Sequence, residues 1–405
     1  MISWTGRRKA LTVLAFIAPT LLGLLVFNIY PILFNTYISV TNRNQFHPNP
    51  DCSVTLTSLL EPTCWEVFKR GAPTGLGTPF RPQDPIYENY TDLLSGLADA
   101  NAFWALLRLL LCFAPLAVAG RVNARLDRQI SRSIASGWVW LGGLAGLFAL
   151  AALLDAGGAY DTITKSGDFL VVMFRTLLYV IACVPVFFGV ALLLALILDN
   201  AHIRFKAIFR VIMIIPWAAS NVAIIMSLVW QFFFREQGTI NQVLAQVGIK
   251  GPTYLNDPNW AFVAIVLVQV WYTYPFMMTV ILGALQAIAP EQYEAAEVDG
   301  ASYWDRLTHI TLPLIRPAVL PAVVLSSITT FQMFGTVWAM TGGGPTRGAG
   351  TPGATELVMV YAYKQVFQTQ SYGRMGAFAV VMFVLLFAAT LYSLRVTQIT
   401  KGAYE

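Results

Sequence analysis

One polar stretch decides the fold: residues 291–317, with the sequence EQYEAAEVDGASYWDRLTHITLPLIRP. It holds five of the 21 acidic residues of the chain and lies between two apolar runs that are each long enough to cross a bilayer. Pro290 suits the first position of a helix, and Gly300 suits a turn because glycine tolerates the backbone angles that turns require. The sequence therefore predicts two short helices that are broken at Gly300 and that lie in water or against another protein.

Composition places the rest of the chain in a membrane. Of its 405 residues, 57% are hydrophobic and only 12% are charged, whereas soluble domains carry about 25% charged residues. The long apolar runs predict an all-α, polytopic membrane protein with about eight transmembrane helices. The predicted spans are about 10–39, 103–119, 133–154, 169–198, 208–234, 261–288, 318–340 and 375–395.

The basic residues orient these spans. The formal net charge is +5, and the basic clusters abut the ends of apolar runs, which is the positive-inside pattern and not that of a protein that binds nucleic acid. The orientation predicts that both termini and residues 291–317 face the cytoplasm. The clusters are Arg7, Arg8 and Lys9; Arg121, Arg125, Arg128 and Arg132; and Arg204, Lys206 and Arg210.

The order of spans predicts two regions. Residues 1–168 are expected to hold the first three spans with the outward loop 41–100. Residues 169–400 are expected to form a core of spans four to eight with the cytoplasmic coupling loop 289–317. Similar segments begin at Phe103 and at Phe169, which leaves open whether the second and third spans are an insertion or only share the composition of apolar helices.

No residue pattern for catalysis or metal binding is visible. No Gly-Lys pair occurs, so the phosphate-binding loop GxxxxGK[ST] is absent, and the three histidines lie in different loops. The four cysteines show no CxxC spacing; Cys112 and Cys183 are expected to be buried, and whether Cys52 and Cys64 form a disulfide stays open. The sequence predicts a chain that is not an enzyme, with no catalytic residue, metal or cofactor of its own.

Charge is nearly absent inside the predicted spans. Every Asp and Glu lies outside them, and the charged residues well inside are Arg108 and Arg175, whose long side chains are expected to reach the interface. A proton- or sodium-coupled carrier usually needs carboxylates or histidines at its midplane. The energy for any transport is therefore expected to come from a partner.

Three short motifs carry a resemblance to a known family. Glu294-Ala295-Ala296, then Gly300, then Ile310-Thr311-Leu312-Pro313 resemble the EAA loop of ABC importer permeases, EAA-x3-G-x9-I-x-LP. In that family the loop forms a cytoplasmic helix that docks into a groove of an ATPase subunit. The resemblance implies coupling to the ATPase through Glu294, Ala295, Ala296, Gly300, Ile310, Leu312 and Pro313.

A second resemblance covers residues 169–400, which look like the larger permease subunit of maltose-type importers, with a type I, MetI-like permease fold. It is carried by Tyr274-Pro275-Phe276-Met277-Met278 and by Gly342-Gly343-Gly344-Pro345 in the following loop. The sugar contacts of that subunit match Tyr272, Thr273, Phe276, Ser326, Thr329, Thr330 and Met333. Phe276, Thr330 and Met333 depart from the residues usual there, which lowers the hydrogen-bonding capacity.

The resemblance implies a function and a set of partners. The expected function is ATP-driven import of a disaccharide or oligosaccharide, of the maltose, maltodextrin or trehalose kind, across the bacterial cytoplasmic (inner) membrane. The expected partners are a second homologous permease, an ATPase dimer that binds ATP and Mg²⁺, an extracytoplasmic sugar-binding protein and membrane lipid, with no nucleic acid. Two alternatives stay open: an ABC permease for another solute, such as glycerol phosphate or a polyamine, and a proton-coupled sugar carrier.

Overall fold

The computed structural model describes residues 7–47, 80–129, 133–200, 204–218, 223–346, 348 and 351–397. The helices of the first half are α1 Arg7–Leu24, α2 Tyr30–Ile38, α3 Glu88–Ala98, α4 Ala100–Cys112, α5 Ala114–Gln129, α6 Ser133–Leu153, α7 Ala156–Ser166, α8 Asp168–Asp199 and α9 Lys206–Ala218. Those of the second half are α10 Ala223–Phe233, α11 Thr239–Gln246, α12 Pro258–Gln286, α13 Pro290–Val298, α14 Tyr303–Arg306, α15 Leu312–Phe331, α16 Gly335–Thr341, α17 Val358–Phe367 and α18 Tyr372–Thr397. Within these ranges no β-strand forms, so the predicted all-α class is confirmed.

Six helices of the described chain are long and apolar enough to cross a membrane, and a seventh span results if a bent pair of helices counts as one. The six are Thr12–Ile38, Ala100–Asn123, Asp168–Asp199, Pro258–Gln286, Tyr303–Phe331 and Tyr372–Ser393. The bent pair joins Trp138–Leu153 to Ala156–Ser166 at an angle of 63°. The predicted fifth span, 208–234, falls on α9 and α10, which are too short to cross singly; residues 219–222 between them lie outside the described residues.

The seventh span, predicted at 318–340, begins and ends earlier in the structure, at Tyr303–Phe331. The helix that crosses there ends at Phe331, and a separate short helix, α16, begins at Gly335. Pro317 and Pro321 lie inside α15 and do not end it. Membrane helices tolerate proline where neighbouring groups satisfy the freed backbone carbonyls.

The chain divides into two compact units: Met1–Leu94 with Ala362–Ala388, and Ser95–Tyr361 with Ala389–Glu405. The first unit contains a polar clamp. Asn89 is buried, and its Nδ2 donates to the carbonyl oxygens of Ser39 and Thr41 at 2.8 and 2.9 Å. The hydroxyls of Ser39 and Tyr90 lie 2.7 Å apart. The clamp ties the start of α3 to the end of α2. The division of the sequence at residue 168 stays a prediction.

The second unit is built around α8, α12 and α15, which pack on one another. The buried face of α8 repeats every fourth residue, through Tyr179, Cys183, Phe187, Ala191 and Ala195. Residues four apart form a ridge along one face of a helix, and the alanines at its end allow a neighbouring helix to approach closely. This ridge is the centre of the main hydrophobic core of the unit.

A smaller core joins α4 and α7 to the start of α8. It contains Ala102, Ala105 and Leu109 of α4 together with Ile163 of α7 and Val171 of α8. The segment that the sequence predicted as a short turn, 155–168, is instead mostly helical in α7. Whether α4 to α7 are an insertion stays open, but α4 and α7 pack on the start of α8, and all four helices belong to its unit.

Two cysteines agree with the sequence. Cys112 and Cys183 are buried and carry free thiols. Cys52 and Cys64 lie outside the described residues, so the question of their disulfide stays open.

Asn89→Leu is expected to destabilise the chain by about 2–4 kcal/mol, because two buried backbone carbonyls lose their donor and each unsatisfied group costs about 1–3 kcal/mol. The measurement is the thermal unfolding midpoint of the purified full chain in detergent. Asn101→Leu, at an exposed position of α4, is the control and should leave the midpoint unchanged. An equal fall in both variants would contradict the clamp.

Candidate functional site

The predicted coupling segment begins with α13 and turns at Gly300. Pro290 occupies the start of the helix, as predicted. Beyond its end, the N–H of Ala301 donates to the carbonyl of Ala296 at 2.9 Å, and the N–H of Gly300 donates to that of Glu297 at 3.1 Å. This pair of bonds is a Schellman motif, which needs a left-handed residue, and Gly300 has φ +77°. The predicted break at Gly300 is confirmed.

The second arm is not the separate short helix that the sequence predicted. Ser302 and Asp305 form a capping box at the start of α14, which satisfies backbone donors there. A π-helical turn, Leu307–Thr311, then carries α14 into α15, so that Tyr303–Phe331 is one continuous helix of 29 residues. The N–H of Leu312 donates to the carbonyl of Leu307 across this turn, so the helix continues through i→i−5 hydrogen bonds and does not break before the span.

We call α13, the turn at Gly300 and α14 with its π-turn the elbow. Two contacts hold its two arms, α13 and the π-turn side, against each other. The hydroxyls of Tyr293 on α13 and Thr311 in the π-turn lie 3.0 Å apart. A guanidinium nitrogen of Arg306 lies 3.4 Å from a carboxylate oxygen of Glu297. Because the pair is largely exposed, the ion pair contributes little to stability. The elbow is held mainly by the Schellman motif, the capping box and the partly buried hydroxyl pair.

The coupling residues named from the sequence lie on the surface of this elbow. Four of them are exposed, namely Glu294, Ala295, Gly300 and Pro313, and three are half-buried, namely Ala296, Ile310 and Leu312. Sequence reasoning missed three large hydrophobic side chains beside them: Val298 is 88% exposed, Trp304 63% and Tyr303 56%. The signal for two of them was the aromatic pair Tyr303-Trp304, which begins three residues after Gly300 in a polar stretch. Large apolar side chains exposed together on such a segment mark a contact surface for another protein or for the membrane.

On α12 the residues that the sequence predicts to contact sugar lie among aromatic rings. Tyr272 is buried and hydrogen-bonds Ser227, while Thr273 and Phe276 are half-buried. The Thr273 hydroxyl accepts from Gln269 Nε2 at 3.0 Å. The Phe276 ring lies 6.1 Å from that of Trp217, between centroids. These residues already have partners inside the unit.

On α15 the predicted residues differ in their surroundings. Ser326 and Thr330 are buried, Thr329 is exposed and donates to the Ser326 carbonyl at 3.0 Å, and Met333 is half-buried beyond the end of the helix. The Thr330 hydroxyl is fully buried and finds no hydrogen-bond partner among the described residues. Thr336 of α16 has the same property and was missed by sequence reasoning. An orphaned buried hydroxyl is unfavourable, and a native structure retains one for a specific reason, such as a bound water or ion or a functional role.

The structure brings some of these seven residues together. Helices α12 and α15 pack on each other, and Tyr272 belongs to the same hydrophobic cluster against which Phe276 and Met333 pack. The described cavities lie elsewhere, beside Arg175.

The Arg175 side chain does not extend out of the protein, contrary to the expectation from the sequence. Its side chain is 2% exposed and is held by Tyr160, whose hydroxyl accepts from Nε at 2.6 Å, and by the carbonyls of Pro352, at 3.0 Å from Nη1, and Gly353. The guanidinium also lies over the Tyr160 ring, 5.8 Å from its centroid. These carbonyl acceptors come from a loop 177 residues away, and they hydrogen-bond a guanidinium that the sequence alone predicts at the surface. Arg108 is exposed, as expected.

The fold and the site define a class. The chain is an all-α, multi-pass membrane protein in which a polar elbow leads directly into a span. Residues 191–398 match the family described as the binding-protein-dependent transport system inner membrane component, and the chain belongs to that family.

Three curated relatives are similar over about half of the chain. The galactooligosaccharides transport system permease protein GanP of Bacillus subtilis is 31% identical over 228 residues, 56% of this chain and 54% of that protein. The sulfoquinovosyl glycerol transport system permease protein SmoG of Agrobacterium fabrum is 38% identical over 226 residues, 55% and 70% of the two chains. The trehalose/maltose transport system permease protein MalF of Thermococcus litoralis is 35% identical over 208 residues, 51% and 67%. The chain thus spans about half the length of the first relative and about two thirds of the others.

Proposed function

We propose that this chain is the permease subunit of an ATP-driven ABC importer for a disaccharide or oligosaccharide. The observation that carries the proposal is the uninterrupted helix Tyr303–Phe331. It begins in the exposed elbow and ends among the residues proposed to contact sugar, so a displacement at one end is transmitted to the other. Family membership supports the role of a membrane component that depends on a binding protein.

In the proposed mechanism the chain performs no covalent chemistry. A partner ATPase dimer, which binds the ATP and Mg²⁺, closes on nucleotide and moves the elbow through Glu294, Ala295, Ala296 and the exposed side chains of Val298 and Trp304. The other proposed coupling residues, Gly300, Ile310, Leu312 and Pro313, hold the bend and the root of the span. The bundle then changes the side of the membrane to which the sugar path opens.

Sugar is the proposed substrate class for two reasons. Aromatic rings stack on the apolar faces of sugars and hydroxyl groups bond their hydroxyls, and both kinds of side chain occur on α12 and α15 at Tyr272, Thr273, Phe276, Ser326, Thr329 and Thr330, with Met333 beyond the helix end. The three relatives are named for carbohydrates or a glycoside. Maltose, maltodextrin and trehalose are the first sugars to test.

The remaining parts of the proposal concern the assembly. A second homologous permease is proposed to complete the sugar path, and an extracytoplasmic sugar-binding protein to deliver the substrate. Both termini and the elbow are proposed to face the cytoplasm of a bacterial cell, because the basic clusters abut the same ends of the spans.

The test is reconstitution of the full chain in proteoliposomes with the subunits that co-purify with it. With its binding protein, one of maltose, trehalose or a galactooligosaccharide is expected to accelerate ATP turnover and to accumulate inside, without effect of a protonophore. Uptake by the chain alone, driven by a proton gradient and indifferent to ATP, would identify a secondary carrier. Acceleration by glycerol phosphate or a polyamine in place of every sugar would keep the permease role and refute the substrate class.

A further inference from the structure

A cavity of about 530 Å³ lies between α4, α6 and α7 on one side and α8 and the first turns of α12 on the other. Its wall is largely apolar, with Leu109, Phe113, Leu147, Phe174 and Phe262 among the lining residues. Three of the helices around it belong to candidate membrane spans, so the cavity is bordered by helices that are long and apolar enough to cross a membrane. A volume of this size holds a small organic ligand.

One buried cation faces this cavity. Arg175 donates through Nε and Nη1 to a tyrosine hydroxyl and two backbone carbonyls, all of them neutral, and its Nη2 makes no hydrogen bond to any residue that the structure describes. Glu356, the buried carboxylate of the neighbouring loop, accepts the N–H of Gly353 at 3.1 Å and not the guanidinium. A buried charge with no carboxylate at ion-pair distance among the described residues is unfavourable, so the guanidinium is suited to an anion.

The same guanidinium borders a second, more polar cavity, also of about 530 Å³. Thr164, Lys165 and Thr351 line it together with Asp161. The guanidinium therefore lies where an apolar space meets a polar one. Arg175 lies seven residues after Asp168, the first residue of α8, and this separation is roughly 10 Å along the helix axis. This depth is near the end of a span, where lipid headgroups meet the hydrocarbon region.

We propose that the apolar cavity and Arg175 form a binding site for an anionic phospholipid. The phosphate of the headgroup accepts from Nη2 of Arg175, and an acyl chain occupies the apolar cavity. Free phosphate would leave the apolar wall unfilled, and a sugar would find few hydrogen-bonding groups there beyond Tyr160 and Asn259. The site is separate from the residues proposed to contact sugar, and the proposal does not depend on the transport function.

The experiment is native mass spectrometry of the full chain, purified with its co-purifying subunits and equilibrated with micelles of equal amounts of phosphatidylglycerol and phosphatidylcholine. Retention of phosphatidylglycerol over phosphatidylcholine is expected to be about tenfold, because a charge-assisted hydrogen bond in a desolvated site is worth about that factor. Arg175→Gln should remove the preference. Ala151→Phe, which fills the cavity from α6, should remove the bound lipid while leaving the guanidinium bonds intact.

Matched variants separate the site from general effects. Arg108→Gln removes an exposed arginine, and Ala149→Phe adds the same bulk to an exposed position of α6; both should retain phosphatidylglycerol as the unmodified chain does. Equal retention of both lipids, or full retention in Ala151→Phe, would overturn the proposal. Displacement of the lipid by an equal concentration of inorganic phosphate would also overturn it, since the headgroup alone would then account for binding. If Arg175→Gln fails to fold, Ala151→Phe still decides.

Discussion

Gly300→Val is expected to lower ATP-driven sugar uptake by about tenfold or more while the partner ATPase continues to turn over ATP. Gly300 has φ +77°, and a Cβ there would meet nothing within 4 Å, so the substitution acts through the backbone and not through a clash. A β-branched residue in this left-handed region costs about 1–3 kcal/mol. The strained residue is the bend that fixes the position of α13 relative to the helix Tyr303–Phe331. That helix leads to the residues proposed to contact sugar. The measurement is uptake and ATP turnover in the same proteoliposomes.

The chain contains a matched control for this variant. Gly248 follows α11 in the same Schellman geometry, with Gly248 N–H to Ala245 at 3.0 Å, Ile249 N–H to Leu244 at 2.9 Å, φ +75° and open space around a Cβ. Gly248→Val therefore carries the same backbone strain far from the elbow in sequence, and it should leave coupling intact. Equal losses in both variants would mean that strain lowers the amount of folded protein. Full transport by Gly300→Val would exclude the elbow as the coupling element.

The elbow could be predicted from the sequence because its determinants are local. Pro290 at the first helical position and Gly300 at the turn act within one or two turns of helix, and both lie where the pattern put them. The end of the following span could not be predicted as well. Hydropathy runs on from residue 318 to 340, yet Gln332 has ψ 14° and ends α15. A hydropathy pattern reports where side chains prefer lipid and carries no information on where the backbone bends.

Arg175 shows a second limit of sequence reasoning. Its acceptors, the carbonyls of Pro352 and Gly353, come from a loop that is distant in sequence and whose backbone groups leave no trace in residue type. The exposed side chains of Val298 and Trp304 show a third limit of sequence reasoning. From the sequence alone, an apolar residue in a short polar stretch is expected to be buried. In each case the missing information was the position of one backbone segment relative to another.

Thr330→Val is expected to raise the half-saturating sugar concentration for ATP turnover by about tenfold, with no loss of thermal stability. The hydroxyl is fully buried and has no partner among the residues that the structure describes, so its replacement by a methyl group of the same shape removes an unfavourable buried group. Under the proposed function, the sugar reaches this hydroxyl in a state in which α12 and α15 have moved apart. In that state the variant leaves a desolvated sugar hydroxyl without its partner, which costs about 1–3 kcal/mol.

Thr336→Val is the control that separates an effect on stability from an effect on sugar activation. Thr336 carries an equally buried hydroxyl without a partner among the described residues, so its replacement should change stability in the same direction as Thr330→Val. It is not among the proposed sugar contacts, and the half-saturating sugar concentration should stay unchanged. If Thr336→Val weakens sugar activation and Thr330→Val does not, the sugar path follows α16 and the α12 and α15 assignment is wrong. If neither variant changes the half-saturating sugar concentration, the two hydroxyls do not contact sugar.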